Sequence, residues 1–490
     1  MSAELDRVAA IANDMARRNA RHRYALINSG IEGMPLQGCF SLRLTRWMLE
    51  RWGQRVSADA PWEELIELLR LLLPQAELET VDQPAADARE LLERTFGPSR
   101  AVQLQRLVEG LDALRADEPA REHLWSRMQA YVKAEGAAGC GMTAARAPSD
   151  APFCLPEGLQ RSVDLMSVVN EPVAAPVRLS ARQRVELIGA ARTVLAALQR
   201  ETDPVTHAGG VELFDMGRGL RIALHHLDVE HRLPFDSYVG FMAFRNGVPL
   251  AYGGAWIFPG KSKVGINVFP AMRGGESAWF FAQLLRLYRQ RFGVDRFEAE
   301  NYQLGHGNPD GLKSGAYWFY YRLGFRPVTK ALQRIAEREF KKLSSRKGYQ
   351  VPLKLLKGLV EQGLELVIAE SAAPIIDTAA LTMAVQRHVA ERYAGNRALA
   401  MRRALERLGR ALPLGDLATW SADERAALYL WALPVDMIGD LERWPLRHRA
   451  RLAAIIRAKG AATETAHQAL LGRCGPLIQA WALAARDAAQ

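Results

Sequence analysis

The stretch SYVGFMAFRNGVPLAYGGAWIF, Ser237–Phe258, decides the fold of this chain. It consists of two apolar and aromatic runs that meet at the dipeptide Asn246-Gly247. Asn-Gly between two such runs is a strong hairpin signal, because both residues of the tight turn must take a positive φ. We therefore predict an antiparallel β-hairpin over these residues.

The hairpin continues into a strand, a helix, a second strand and a second helix. KVGINVF, Lys263–Phe269, predicts the third strand of the sheet. A glycine-containing turn then opens a long apolar helix, Ser277–Phe292. DRFEAENYQ, Asp295–Gln303, predicts another strand, and the aromatic run Ser314–Phe325 predicts a short helix.

The turn after the third strand resembles a motif of the GNAT superfamily of acyl-CoA-dependent N-acyltransferases. Family members show V-x-P-x-x-R-G-x-G-x-G/A at the junction of a strand and a helix. The residues that fit here are Val268, Pro270, Arg273, Gly274 and Ala278. Glu276 stands where the family has its second glycine.

A second motif lies downstream, where the family shows N-x-x-A-x-x-F-Y-x-x-x-G-F. The residues that fit are Ala316, Phe319, Tyr320, Gly324 and Phe325, and Lys313 replaces the asparagine. The two motifs occur at the family's separation and between the same kinds of element. The resemblance covers roughly a quarter of the chain.

The resemblance implies an α+β protein with a central GNAT-like mixed β-sheet domain, flanked by N-terminal and C-terminal all-helical regions. Strand signals are confined to residues 209–330, and both flanks show the apolar periodicity of helices. We predict a helical domain at 1–135, a linker at 136–165, the acyltransferase domain at 166–330 and a helical C-terminal domain at 331–490.

Composition is that of a globular protein with several domains. The chain has 490 residues, of which 49% are hydrophobic and 24% are charged. No apolar run reaches the roughly 18 residues of a membrane span, and the N-terminus lacks the apolar core of a signal peptide. The four cysteines form no C-x-x-C pair, so neither a zinc site nor a disulfide framework is indicated. We expect a cytoplasmic protein without a metal.

The net charge of +10 predicts anionic partners. Coenzyme A, an acyl carrier protein and a tRNA all fit this charge. An arginine-rich composition without a specific partner is the other interpretation, since arginine is spread along the chain. The segment Lys330–Lys347 has the largest local excess, with seven basic and two acidic residues.

The resemblance implies a donor site at the turn between the third strand and the long helix. The donor is an acyl-CoA or another phosphopantetheine-linked acyl group, because backbone N–H groups at a helix N-terminus favour anions. The donor-binding residues that it implies are Val268, Arg273, Gly274, Gly275, Ser277 and Ala278. Two explanations fit Glu276: its side chain points away from the phosphates, or the site does not bind coenzyme A.

Catalysis of acyl transfer needs an acid and a base. Tyr320 aligns with the family tyrosine that protonates the departing thiolate, and a phenol with a pKa near 10 suits that role. Period-two alternation puts Glu298 and Glu300 on one face of their strand. We predict Glu300 as the base, with His306, just beyond the strand, as the second choice.

Three functions fit the sequence. The first is an acyltransferase that acts on the amine of a macromolecular or long-chain acceptor. The second is a non-catalytic scaffold with a degenerate GNAT-like domain, in which Glu276 and Lys313 mark lost contacts. The third is an aminoacyl-tRNA-dependent transferase that binds phosphates through Lys330–Lys347.

Overall fold

A computed structural model describes residues 2–18, 20–85, 87–136, 139–148, 153–155, 157–273, 275–370 and 374–489. The chain forms two compact units. Unit 1 comprises residues 1–151, 179–207 and 247–249, and unit 2 comprises the rest. Within the described ranges, every helix is too short or too polar to cross a membrane.

The first 207 residues are mostly helical. Their helices are α1 Ser2–Arg18, α2 Ala20–Ala25, α3 Leu42–Trp52, α4 Trp62–Leu72, α5 Leu78–Val81, α6 Ala88–Phe96, α7 Arg100–Ala113, α8 Glu118–Arg127, α9 Leu165–Asn170, α10 Ala181–Ala197 and α11 Asp203–Thr206. Their strands are β1 Leu36–Cys39, β2 Val56–Asp59 and β3 Tyr131–Ala134. The helix α9 belongs to unit 2, and the others to unit 1.

The prediction of an all-helical region at 1–135 is wrong, because β1, β3 and β2 form a small antiparallel sheet in that order. Each of these strands has only four residues, and each buries one or two of them, among them Leu36, Val56 and Val132. An alternation of buried and exposed residues over only four positions is a weak strand signal in a sequence. Part of the predicted linker, residues 137–138, 149–152 and 156, lies outside the described residues.

The remainder of the chain contains a large sheet followed by helices. Its strands are β4 Ala208–Asp215, β5 Leu220–Leu227, β6 Ser237–Arg245, β7 Val248–Phe258, β8 Gly260–Val268, β9 Val294–Ala299, β10 Arg326–Pro327 and β11 Leu364–Val367. Its helices are α12 Ser277–Phe292, α13 Asn301–Leu304, α14 Pro309–Ser314, α15 Ala316–Arg322, α16 Lys330–Ser345, α17 Leu353–Leu359, α18 Thr378–Tyr393, α19 Arg397–Ala411, α20 Ala422–Asp436, α21 Leu446–Lys459, α22 Thr465–Leu471 and α23 Gly475–Ala489.

The strand order in this sheet is β10-β11-β9-β8-β7-β6-β5-β4. The predicted hairpin between β6 and β7 is confirmed, and Asn246 (φ 49°) and Gly247 (φ 80°) both have the positive φ that a tight turn needs. The strands β8 and β9 are parallel and are joined by α12. A mixed α/β architecture is therefore established for this part of the chain.

Two sequence predictions at the edges of the sheet are wrong. The region after 330 is not all-helical, because β11 pairs with β9 and β10 and extends the sheet. The strand predicted at Asp295–Gln303 ends at Ala299, since Asn301–Leu304 is helical. Glu300 therefore precedes a helix and does not share a strand face with Glu298.

The four-part domain division differs from the two compact units. Residues 179–207, which the sequence analysis put in the acyltransferase domain, cluster with unit 1. Residues 331–490 cluster with the large sheet in unit 2. The domain boundaries stay a prediction.

The core of unit 2 lies between α12 and one face of the sheet. From α12, aromatic and aliphatic residues such as Phe281 and Leu284 pack with Leu224, Phe241 and Ile257 of the strands. A second core joins the sheet to the C-terminal helices. In this second core, Phe235 and Phe258 pack with Trp481 at ring-centroid distances of 5.2 and 6.4 Å.

Candidate functional site

The strands β8 and β9 separate part-way along their length. Their parallel ladder runs from Gly260 opposite Val294 to Lys263 opposite Glu298, whereas β8 continues to Val268. Among the described residues, β8 beyond Lys263 therefore has no strand partner on the β9 side. The two strands pair over only part of the length of β8.

Gly265 lies on β8 beyond the part that pairs with β9. A Cβ atom at this position would lie 3.0 Å from Nε2 of Gln303, which is closer than ordinary contacts. The glycine therefore leaves room for Gln303, which follows β9 in the chain. Gly265 pairs with Gly254 on β7, so neither of these two paired positions has a side chain.

The turn from β8 into α12 contains most of the predicted donor-binding residues. The Nε group of Arg273 donates a hydrogen bond to the carbonyl oxygen of Val268 at 3.0 Å, and the Arg273 side chain is otherwise exposed. Ser277 and Ala278 form the first turn of α12 and are half-buried. A Cβ at Gly275 would meet no atom within 4 Å. Gly274 lies outside the described residues.

Glu276, the residue that departs from the family motif, binds two arginines. Its Oε1 lies 3.0 Å from Nη2 of Arg218, and its Oε2 lies 3.1 Å from Nη2 of Arg245. The backbone N–H of Gln160 donates to the same Oε1 at 2.9 Å. Burial alone would raise the pKa of Glu276, but these three donors lower it below its ordinary value.

Tyr320, the predicted acid, lies on α15 in an aromatic cluster. Its ring makes edge contacts with Phe281, Phe319 and Phe325 at 5.3–5.5 Å between centroids. The side chain is 2% exposed, and among the described residues its hydroxyl has no hydrogen-bond partner. Burial raises the pKa of this phenol well above its ordinary value, so the hydroxyl stays protonated.

The two base candidates occupy different environments. Glu300 accepts a hydrogen bond from Nζ of Lys263 at 2.9 Å, and both side chains are more than 40% exposed. His306 is exposed in the loop after α13, and its backbone N–H donates to Asn301. Neither residue contacts the donor turn through a described hydrogen bond, so both assignments stay predictions.

Glu298 is a carboxylate at the end of the β8–β9 ladder that the sequence analysis ranked below Glu300. It is half-buried, and burial raises its pKa, although Lys263 and Lys261 act in the other direction. A raised pKa favours proton uptake near neutral pH. The two glutamates also differ in their contacts, since Glu300 pairs directly with Lys263.

Arg218 and Arg245 were missed by sequence reasoning, yet a signal for them existed. Arg218 lies between two glycines of the β4–β5 turn, and Arg245 is the last residue of β6. The antiparallel register pairs Leu220 with Arg245, which brings the two arginines to the same end of the sheet. The glycines on either side of Arg218 predict the β4–β5 turn, whereas the position of Arg245 depends on the longer β5–β6 connection, residues 228–236.

The basic segment Lys330–Lys347 forms α16 and the residues that follow it. Part of its charge is balanced locally, since Glu339 pairs with Lys342 at 2.8 Å and Arg338 at 3.2 Å, and Glu337 pairs with Lys341 at 3.0 Å. An acidic partner for this segment stays a prediction.

No family model, curated protein or solved structure matches this chain. The function is therefore inferred from the residues of the site alone.

Proposed function

We propose that this chain is a GNAT-like N-acyltransferase, which moves an acyl group from a thioester donor to an amine. The donor is an acyl-CoA or an acyl group on a carrier protein. The observation that supports the proposal is the early end of the parallel β8–β9 ladder at Lys263 and Glu298. Beyond that point, among the described residues, β8 has no strand partner on the β9 side, and its end leads through the turn to the N-terminus of α12.

The proposal assigns each part of the reaction to a group of this chain. A bound donor supplies a thioester carbonyl and a sulfur leaving group. Backbone N–H groups on the free edge of β8 stabilise the negative charge that develops on the carbonyl oxygen. The Tyr320 hydroxyl, buried and unpaired among the described residues, gives its proton to the sulfur.

The acceptor amine must lose a proton, and a carboxylate near the end of the ladder receives it. Glu300 is the proposed base, acting directly or through a water molecule. Glu298 is the alternative that its raised pKa supports. If one of them is the base, Glu300→Gln or Glu298→Gln lowers turnover by roughly 10²–10⁴, and the other substitution leaves most of it.

Ligand binding tests the proposal before any acceptor is known. We expect coenzyme A, an acyl-CoA or an acylated carrier protein to raise the melting temperature in a thermal-shift screen, because a ligand that binds only the folded state stabilises it. Isothermal titration calorimetry then measures the affinity. If none of these donors binds, the acyltransferase proposal is wrong and the scaffold interpretation replaces it.

Arg273→Ala is the variant that tests the position of the donor. We expect it to weaken donor binding by about tenfold or more, the scale of one lost charge-assisted hydrogen bond, with little change in stability. Arg402→Ala is the matched control, since Arg402 is an exposed arginine on α19. Equal donor affinity in both variants contradicts this position for the donor.

A further inference from the structure

Arg218 and Arg245 form a pair that the family resemblance does not assign. Both guanidinium groups lie over the ring of Trp279, each 5.6 Å from its centroid. Trp279 is the third residue of α12 and is 4% exposed. Stacking on a buried aromatic ring orients a planar guanidinium and leaves its N–H edge for hydrogen bonds. The pair is therefore held in place by the helix that follows the donor turn.

This pair already binds an anion, which is the Glu276 carboxylate. Each oxygen of the carboxylate contacts a different arginine, at 3.0 and 3.1 Å. Two positive charges thus face one negative charge. Among the described residues, the Nε group of Arg218 is buried without a hydrogen-bond partner, so the pair retains donor capacity. The Glu276 side chain is 13% exposed and lies near the surface.

We propose that the Arg218–Arg245 pair is a phosphate-binding site, and that Glu276 occupies it until a phosphate group displaces the carboxylate. Arginine binds carboxylate and phosphate through the same planar set of N–H donors. A phosphate brings more charge and more acceptor oxygens than a single carboxylate. The identity of the ligand as the acyl donor rests on the proposed function.

The ligand class is a phosphoryl group, and two donors can supply it. Coenzyme A carries a pyrophosphate beside its pantetheine arm, whereas a carrier protein carries one phosphodiester. The phosphate of either donor suits the paired arginines. Glutamate at 276, where the family has a glycine, then lowers the affinity by competing for the pair and does not abolish the site.

Displacement of Glu276 has a structural consequence in the segment 157–160. The N–H of Gln160 donates to Glu276 Oε1 at 2.9 Å, and Nη2 of Arg218 donates to the carbonyl oxygen of Gly158 at 2.9 Å. Leu159, between them, is 56% exposed. Release of the carboxylate removes one of these two bonds, so phosphate binding is expected to loosen this segment.

Calorimetric titration with pyrophosphate at low ionic strength tests the site without any acyl chemistry. We expect Glu276→Gln to bind pyrophosphate about tenfold more tightly than the wild type, because the competing charge is gone. Adding Arg218→Ala to that variant is expected to remove the gain. Glu365→Gln is the matched control, since Glu365 pairs with Arg296 at 2.7 Å elsewhere in the sheet and is expected to leave the affinity unchanged.

Hydrogen exchange gives a second measurement that does not depend on affinity. Pyrophosphate is expected to speed exchange at the Gln160 amide in the wild type, because its acceptor leaves. An unchanged pyrophosphate affinity in Glu276→Gln overturns the inference, and so does a gain that survives Arg218→Ala. Circular dichroism and the melting temperature show that each variant is folded.

Parallel titrations with coenzyme A and with an acylated carrier protein separate this inference from the proposed function. If Glu276→Gln tightens one of them, that ligand is the source of the phosphate. If the variants respond to pyrophosphate as expected but neither donor binds, the anion site stands and the acyltransferase proposal fails. If donors bind with the same affinity in all variants, the acyltransferase proposal stands and the inference fails.

Discussion

Two of the carboxylates in unit 2 that pair with cationic side chains lie at very different depths. Glu276 is 13% exposed and contacts two arginines at the edge of the sheet. Glu464, which immediately precedes α22, is fully buried and pairs with Lys459, which is also fully buried. The first pair can exchange its carboxylate for another anion. The second cannot, because either partner alone would be a buried charge without compensation.

The contacts around Glu464 show how much structure depends on the deep pair. The Ser237 hydroxyl on β6 donates to Glu464 Oε1 at 2.8 Å, and Gln468 on α22 donates to Ser237 at 2.8 Å. The N–H of Glu464 donates to Nδ1 of His226 on β5 at 3.3 Å. These bonds join the sheet to the C-terminal helices. The deeply buried pair of Lys459 and Glu464 is therefore structural, whereas the shallower pairing of Glu276 with two arginines is available for function.

The largest expected effect comes from breaking the deep pair. Lys459→Met keeps most of the side-chain volume but leaves Glu464 buried and unpaired, so we expect a loss of about 3–5 kcal/mol in the free energy of unfolding. Urea denaturation followed by circular dichroism measures it. Lys357→Met, at an exposed lysine of α17, is the control and should change little.

The double variant Lys459→Met with Glu464→Gln sharpens this result. It removes both charges, so we expect it to recover most of the stability that the single variant loses. A single variant as stable as the wild type would contradict the view that depth makes the pair structural.

The next effect is pH dependence at His467, which lies on α22 beside the deep pair. Burial lowers the pKa of His467 from 6.5 to about 3, and its Nδ1 contacts the carbonyl oxygen of Ile455 at 3.0 Å. Because the folded-state pKa lies below the unfolded one, the unfolded chain binds the proton first as pH falls. Stability from this residue is complete above about pH 6.5 and is lost by about 1.4 kcal/mol per pH unit below it.

Urea denaturation between pH 6.5 and pH 5 measures this slope above the range in which most carboxylates titrate. His467→Gln removes the titrating group, so its stability should fall less steeply with pH, whatever its absolute level. Equal slopes for wild type and variant would show that His467 is not responsible.

The sequence predicted the parts of this fold that local signals determine. The hairpin at Asn246-Gly247 was predictable because this dipeptide, between two apolar runs, favours a tight turn with positive φ. The helix α12 was predictable at Ser277–Phe292 because a glycine-containing turn opens it directly after a strand. Both signals act over a few residues, so a single sequence carries them.

Other parts depend on contacts between residues distant in sequence. The strands β1, β2 and β3 have four residues each, and β3 lies more than 70 residues after β2. Similarly, β11 is a four-residue strand that is defined by its pairing with β9. Pairing partners that far apart leave no local pattern, so these strands read as parts of helical regions.

The candidate site was predictable to the same extent. The turn between β8 and α12 was predicted because glycines and Arg273 follow a strand directly, and its role in donor binding stays a prediction. The contacts of Glu276 were not predicted, because its partners Arg218 and Arg245 lie in the β4–β5 turn and at the end of β6, far from Glu276 in the sequence. Glu300 was wrongly assigned to a strand face, because the sequence of this segment does not show that β9 ends at Ala299. That end depends on where α13 begins.

A smaller effect on stability is expected at Tyr320. Among the described residues its buried hydroxyl lacks a hydrogen-bond partner, so Tyr320→Phe removes a desolvated polar group and should leave the free energy of unfolding unchanged or raise it by up to about 1 kcal/mol. Turnover should fall by roughly 10²–10⁴ if the hydroxyl is the acid. Tyr317→Phe is the matched control on α15, since the Tyr317 hydroxyl is also buried and unpaired there. A retained rate in Tyr320→Phe, or an equal loss in Tyr317→Phe, would remove Tyr320 from catalysis.

The smallest effect on stability is expected at Glu276. Glu276→Gln leaves Arg218 and Arg245, which are 36% and 19% exposed, with partial access to water, so the free energy of unfolding should change by about 1 kcal/mol, much less than in Lys459→Met. That change should shrink further in roughly 1 M salt, where screening acts over about 3 Å, whereas the loss in Lys459→Met should persist because salt does not reach a buried pair. Urea denaturation at low and high salt compares the two variants directly. A loss at Glu276 as large and as insensitive to salt as the loss at Lys459 would make both pairs structural, and Glu276 would then be too firmly held for a phosphate to displace it.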